Sequence, residues 1–430
     1  MRASVDARHP RDGYAPRHFR TPHDDQRAHR WFTAVAVILA ALVTIAGTGF
    51  LLTSGRATAV VTPQSLLTRT TPLLGVVGAS GGHLAVEKAS AIHSVTIVLA
   101  WSEAEHTRTS TSSSYIAAVN RHIAAAYDDG FTVFLDPGLQ YPPNWVFSLG
   151  GGVRFVDQYG DRFSGPPTSG NDVANGVTDL KVRAAMQSYL AWLGHHLLLR
   201  DVTGVRQGGG PFDELRYPIP YYKGHTDCYW AYDSSSHALS TALHYVPGRS
   251  TEARASAFLA RYNADLVSFA DWMNAQYRTD FGKDILLLLP GWGQRPGVAH
   301  TEESHLLRDS YPEFNEGLDW TGLLSSLPDR SMTIAYTTYL DAPSYASNPL
   351  QEDPADYLAS IVGPLHMTLG GENSGGDTVQ EMQGTLGRAR ALGLVVVNWF
   401  NEAQLVASSQ DPADGGPTFG DLAAAARADL

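Results

Sequence analysis

Ile285-Leu286-Leu287-Leu288-Leu289 is an unbroken apolar run, cut off at once by Pro290-Gly291-Trp292-Gly293. A strand with one wet face alternates apolar and polar residues. An unbroken run instead reads as a strand covered on both sides, as in a parallel sheet. Working outward, seven further Leu-rich or β-branched runs repeat the signal: Leu73–Val77, Val95–Ala100, Thr132–Leu135, Val202–Val205, Thr333–Tyr336, Leu365–Leu369 and Leu394–Val397. Between several of them Tyr115–Asp129, Leu180–Leu199, Glu252–Tyr277 and Thr378–Leu392 carry apolar residues at helical spacing. Gly130 follows the first of these as a stop, and Phe419–Leu430 supplies a closing helix. Eight strands alternating with helices predict an α/β fold, a closed (β/α)₈ barrel. A doubly wound open sheet is the alternative, but no Gly-x-Gly-x-x-Gly follows an early strand.

The chain has 430 residues, 43% hydrophobic and 17% charged, which is a globular composition. Its net charge of -12 makes it a poor partner for nucleic acid, whose phosphates must be neutralised. The single cysteine, Cys228, permits neither an internal disulfide nor a cysteine-based zinc site. Residues 1–30 are polar, Arg-rich and without apolar period, and read as a disordered tail. Residues 31–53, from Trp31 to Thr53, carry no charge and are long enough for a bilayer core of about 30 Å, so a transmembrane helix is expected there. Arg27 and Arg30 beside it put the tail in the cytoplasm, so the protein is expected in the cell membrane, single-pass, with the rest of the chain extracytoplasmic. The alternative is secretion after cleavage near Ala57-Thr58-Ala59. Residues 54–70 read as a linker and 71–430 as the barrel domain.

In such barrels chemistry sits on the loops after strand C-termini. Here those loops hold Trp101-Ser102-Glu103, Asp136-Pro137-Gly138, residues 207–218, Trp292, Tyr339, Gly370-Gly371-Glu372-Asn373 and Asn398-Trp399-Phe400-Asn401-Glu402. Aromatic faces for sugar CH groups, with carboxylates and amides for hydroxyls, fit an oligosaccharide or polysaccharide partner. Glycoside hydrolysis needs two carboxylates flanking one bond. Glu214, in the Gly208-Gly209-Gly210 loop after the fourth run, and Glu372, directly after the seventh, are the catalytic candidates. Trp101, Glu103, Asp136, Trp145, Trp292, Tyr339, Asn373, Trp399 and Glu402 are candidates for substrate binding. Glu105 lies near Glu103, and Tyr336 or Tyr339 is placed to orient Glu372. No metalloprotease, phosphate-loop or nucleophile-elbow motif occurs, and neither metal nor cofactor is expected.

Trp101, Glu103 and Pro142-Pro143-Asn144-Trp145 resemble the opening of the family 42 β-galactosidases and their clan. The resemblance implies an acid/base Glu after strand four and a nucleophile Glu after strand seven, which match Glu214 and Glu372. Glu214-Leu215-Arg216-Tyr217-Pro218 is similar to the motif around the acid in the family 14 β-amylases, which adds Arg216 and Tyr217 to the binding set. The clan's Asn before the acid is here Asp213, a further binding candidate, and the early binding motif of the β-amylases is absent from Asp136–Trp145. The expected activity is thus that of a glycosidase, β-galactosidase-like. The alternatives are a non-catalytic carbohydrate-binding barrel, a transglycosylase, and an inverting glucanase like the β-amylases. The oligomeric state is left open.

Overall fold

The computed structural model describes residues 65–165, 171–239, 245–341, 353–375, 378–411 and 415–430. The tail at 1–30, the segment at 31–53 and the linker up to residue 64 lie outside the described residues. Among the described residues no helix is long and apolar enough to cross a membrane.

Eight parallel strands close a barrel in sequence order. They are β1 (Leu73–Val77), β2 (Ser94–Val98), β3 (Thr132–Asp136), β4 (Gly204–Gln207), β5 (Asp284–Leu289), β6 (Thr333–Thr337), β7 (Thr368–Glu372) and β8 (Val396–Trp399). The expected helices surround them as Ser113–Asp128, Leu180–His196, Glu252–Asp280, Val379–Ala391 and Phe419–Asp429. Thr378 and Glu381 form a reciprocal cap at the start of Val379–Ala391, satisfying two otherwise orphaned amides.

Residues 65–70, which the sequence assigns to the linker, are part of the barrel's packing. Ser65 caps a short turn at Leu66–Thr68. The Leu66 amide and the Ser65 hydroxyl donate to the Asp284 carboxylate at 2.7 Å and 3.0 Å. Asp284 begins β5, so Leu66 enters the barrel from its N-terminal end. There it joins Leu73, Phe134, Leu286, Leu288, Ile334 and Val396 in an interior apolar plug.

Successive side chains of a strand point to opposite faces. Starting from this plug, the residues two positions further along face inward: Arg206 after Gly204, Asp136 after Phe134, Tyr336 after Ile334, Glu372 after Gly370 and Asn398 after Val396. The barrel interior is therefore apolar below and polar above. This explains the shifted strand positions. β4, β7 and β8 begin two or three residues after the start of their apolar runs and continue into Arg206-Gln207, Glu372 and Asn398-Trp399.

Candidate functional site

Glu372 ends β7 and is only 4% exposed. Arg206 on β4 donates to it through both terminal nitrogens, Nη1 to Oε2 at 2.5 Å and Nη2 to Oε1 at 3.0 Å. This is the paired geometry that makes Arg–carboxylate contacts strong. The Tyr336 hydroxyl donates to Oε2 at 3.0 Å and accepts from Asn398 Nδ2 at 2.8 Å. Asn398 fits because its neighbour across β1 is Gly75. A Cβ there would lie 2.1 Å from Asn398 Oδ1 and 2.1 Å from Ser94 Oγ. Gly75→Ala is therefore expected to destabilise the fold by about 1–3 kcal/mol through overpacking. It should also loosen Tyr336 against Glu372, and the sum is read as a lower Tm.

Glu214 follows β4 on a turn that only glycines permit. Gly209 has φ +84°, and a Cβ on Gly208 would lie 1.5 Å from the Asp213 carbonyl oxygen. The Glu214 carboxyl is 8% exposed and accepts from Thr338 Oγ1 at 2.7 Å. Arg216 Nε lies 2.9 Å from Oε2, and Arg216 Nη1 lies 3.0 Å from Glu316 Oε2, so one guanidinium is shared between two carboxylates. Burial pushes the Glu214 carboxyl up to about 7, against the pull of Arg216 and Thr338 and with help from the charges of Glu316 and Glu372. Glu316→Gln removes a charge that raises this acid and leaves Arg216 wholly to Glu214. Both effects lower its pKa, so the titration of Glu214 should move acidward by roughly one pH unit, read by NMR of the carboxyl carbon.

Asp136 and Asp213 form a second carboxyl pair. They are hydrogen-bonded to each other, and burial raises both, Asp213 with further help from Asp136. Asp136 accepts from the Gly138 amide at 2.8 Å and from Gln140 at 2.9 Å. Asp213 accepts from the Gly209 amide at 3.1 Å and lies 3.8 Å from Arg206 Nε. Two buried carboxyls in contact hold one proton between them. Both are as buried as Glu372, at 3% and 4% exposed, and both lie at the polar end of the barrel interior.

Other candidates divide sharply. Trp101 is fully buried, stacked on Tyr189 at 5.2 Å, with its indole N–H donated to Glu105. Trp399 is 1% exposed and donates to Gln404. Tyr217 stacks on Tyr262 at 4.0 Å and donates to its carbonyl. These three are core residues and not sugar platforms. For Trp399 the reason is strand parity, since Asn398 beside it faces the barrel interior. Glu402 accepts from the Ser80 amide at 2.9 Å and is hydrogen-bonded to buried Glu87, so its carboxylate is held by the loop and helix after β1. Asn373 holds the Phe400 backbone, accepting its amide at 2.7 Å and donating to its carbonyl at 3.1 Å. Trp145 is half-buried, meets Trp101 edge-on at 6.0 Å and donates to the Glu105 carbonyl. Glu103 is half-buried in the short helix Trp101–Ala104 that follows β2. Trp292 and Tyr339 pack edge to face at 5.4 Å, and Tyr339 senses the charges of Glu214 and Arg216. They are the aromatic candidates that remain beside the acid.

Sequence reasoning missed Arg206, Asn398, Thr338 and Glu316. Arg206 had a signal: a charged residue directly continuing an apolar run belongs to the strand when its parity points inward. It also passed over Phe400, which is 40% exposed, for the buried Trp399 beside it.

No family model matches this chain. No curated protein sequence matches it either. Solved structures do. The catalytic domain of a β-amylase from Paenibacillus polymyxa aligns at TM-score 0.61 and 17% identity, over 84% of this chain and 99% of that one. A β-galactosidase from Halorubrum lacusprofundi aligns at 0.55 and 14% identity, over 82% of this chain and 57% of its own. A β-galactosidase from the psychrophilic Marinomonas ef1 aligns at 0.51 and 13%, over 76% and 54%. At these identities the likeness is one of fold: this chain is an eight-stranded α/β barrel of the kind that glycoside hydrolases use.

Proposed function

We propose that this chain is a glycoside hydrolase. Glu214 gives its proton to the leaving glycosidic oxygen. Glu372 acts at the anomeric carbon, either attacking it directly or taking the proton of an attacking water. The observation that carries this reading is the unlike treatment of two carboxyls from β4 and β7. Burial holds Glu214 up to about 7, so that it is protonated below neutral pH. Glu372 receives three donated hydrogen bonds, two of them from a guanidinium. Environments that separate two carboxyls in this way divide acid from base or nucleophile.

The substrate expected from sequence is a β-galactoside. One observation favours a second reading, an inverting glucanase of the β-amylase kind. Glu214-Leu215-Arg216-Tyr217-Pro218 gives the acid its own guanidinium partner within the motif. Retaining enzymes hold their carboxyls about 5–5.5 Å apart and inverting ones about 6.5–9.5 Å. The experiment is a panel of chromogenic β-glycosides and malto-oligosaccharides, with proton NMR of the first-formed anomer. Retention on a β-galactoside supports the first reading, and inversion on a maltooligosaccharide the second. Wild-type protein that binds these sugars but cleaves none of them would replace both with a carbohydrate-binding barrel.

The proposal keeps Trp31–Thr53 as a single-pass anchor with the barrel outside the cytoplasm. Such a chain stays with membranes through alkaline carbonate extraction; release into the soluble fraction would point to cleavage.

A further inference from the structure

Away from Glu214 and Glu372, three loops of the same barrel face line an open pocket of about 360 Å³. One wall comes from the loops after β3 and β4. Tyr159 stacks on His225 with ring centres 3.7 Å apart and planes 7° from parallel. The Tyr159 hydroxyl donates to Asp227 Oδ1 at 2.5 Å, and Gln158 donates to the Asp227 carbonyl at 2.7 Å. Tyr159 nevertheless stays 48% exposed, so a fixed aromatic ring is offered to solvent. The opposite wall comes from later in the β4 loop and from the loop after β5. Here the Gly248 amide donates to the Leu306 carbonyl at 2.6 Å, the Tyr245 hydroxyl to the same oxygen at 2.7 Å, and Arg308 Nη2 to the Gly248 carbonyl at 3.0 Å. Arg249 and Arg308 both line the cavity. Among the described residues neither has a carboxylate partner. Two carboxylates line it as well, Asp227, which accepts from Tyr159, and Asp309, so the two guanidiniums sit beside fixed acceptors.

We propose that this cavity is a remote binding site for a sugar unit bearing an anionic substituent, a carboxylate or a sulfate ester. The inference rests on the glycosidase reading and deepens it, because it names a substrate class for the same face of the barrel. Guanidinium groups recognise planar or tetrahedral oxyanions through paired N–H donors. The exposed Tyr159 ring takes the CH face of the sugar, and Asp309 offers an acceptor for its hydroxyls. A volume near the lower end of the about 300–1,000 Å³ typical of ligand sites suits a short sugar segment. The walls are stitched by hydrogen bonds between loops, so little ordering cost is left for binding.

The test is titration calorimetry on the full chain with tetragalacturonate, a chondroitin sulfate tetrasaccharide, maltotetraose and inorganic phosphate. At least one acidic sugar is expected to bind at least about tenfold more tightly than maltotetraose, since hydrogen bonds to charged groups are the strong ones. Which acidic arm binds distinguishes carboxylate from sulfate. Arg249→Ala/Arg308→Ala is expected to lose that preference, and Tyr159→Ala to weaken all sugars but not phosphate. Equal affinity for acidic and neutral sugars overturns the proposal, as does a preference that survives in the double arginine variant. Phosphate binding as tightly as the acidic sugars reduces the cavity to an anion site and also overturns it. Turnover of a small neutral chromogenic glycoside should be unchanged in the arginine variant. Absence of turnover in wild type therefore counts against the hydrolase reading alone, and absence of acidic preference against this one alone.

Discussion

Glu372→Gln should lower turnover by at least about a thousandfold, because an amide can neither attack the anomeric carbon nor take a proton from water. It should also cost stability. Arg206 is buried and its two terminal nitrogens are directed at Glu372. Breaking one partner out of a buried pair typically costs about 3–5 kcal/mol, since the remaining charge is stranded. Asp213, 3.8 Å from Arg206 Nε, moderates the loss and sets it toward the low end. Loss of activity in this variant alone would thus be ambiguous. Arg206→Gln/Glu372→Gln resolves it, because the stranded charge is gone. The double variant should recover most of the single variant's lost Tm while remaining inactive. If activity returned along with Tm, Glu372 would be a structural residue and not a chemical one.

Glu214→Gln removes the proton donor and should cost about 10²–10⁴-fold in kcat. The loss should depend on the leaving group. A nitrophenolate departs without protonation, so nitrophenyl glycosides should keep far more activity than alkyl or sugar leaving groups. In wild type, kcat/KM should fall as pH rises through about 7, where Glu214 gives up its proton. In Glu214→Gln that alkaline limb should disappear. A stability effect accompanies it. The Glu214 carboxyl is raised above its ordinary value of 4.5, so the native state holds the extra proton between there and about 7. Wild-type stability should therefore decline over that window as pH rises, and the contribution should vanish in Glu214→Gln. Equal losses on nitrophenyl and alkyl glycosides would argue that Glu214 is not the acid.

The barrel was legible because its strands are buried on both faces over their first residues. β1 coincides with its apolar run, Leu73–Val77, and β5 begins one residue before its own. The less legible part lay at the other end of the strands. There the interior turns polar, and a reading that stops where apolar residues stop cuts β4 before Arg206 and β7 before Glu372. Glu214 and Glu372 were still singled out, since glycines precede both and each follows a run. Arg206 and Asn398 were not, since a polar residue after a run looks like loop. Aromatic residues misled in another way. A tryptophan can serve as core or platform equally well, and residue type does not say which side of a strand it occupies. The alternation through Val396 and Asn398 sends Trp399 outward to pack and leaves Phe400 exposed. The Glu87–Glu402 contact joins residues 315 positions apart, and nothing local in either segment announces it.

The split of the barrel interior has a practical corollary. The plug of Leu66, Leu73, Phe134, Leu286, Leu288, Ile334 and Val396, tied by Asp284, carries cohesion, while the proposed chemistry lies at the opposite rim. The two burdens fall on different layers of one cylinder, so selection acting on one need not disturb the other. Substitutions that harden the base against heat and substitutions at the rim can therefore be tried separately, and directed evolution can work the two layers in separate rounds.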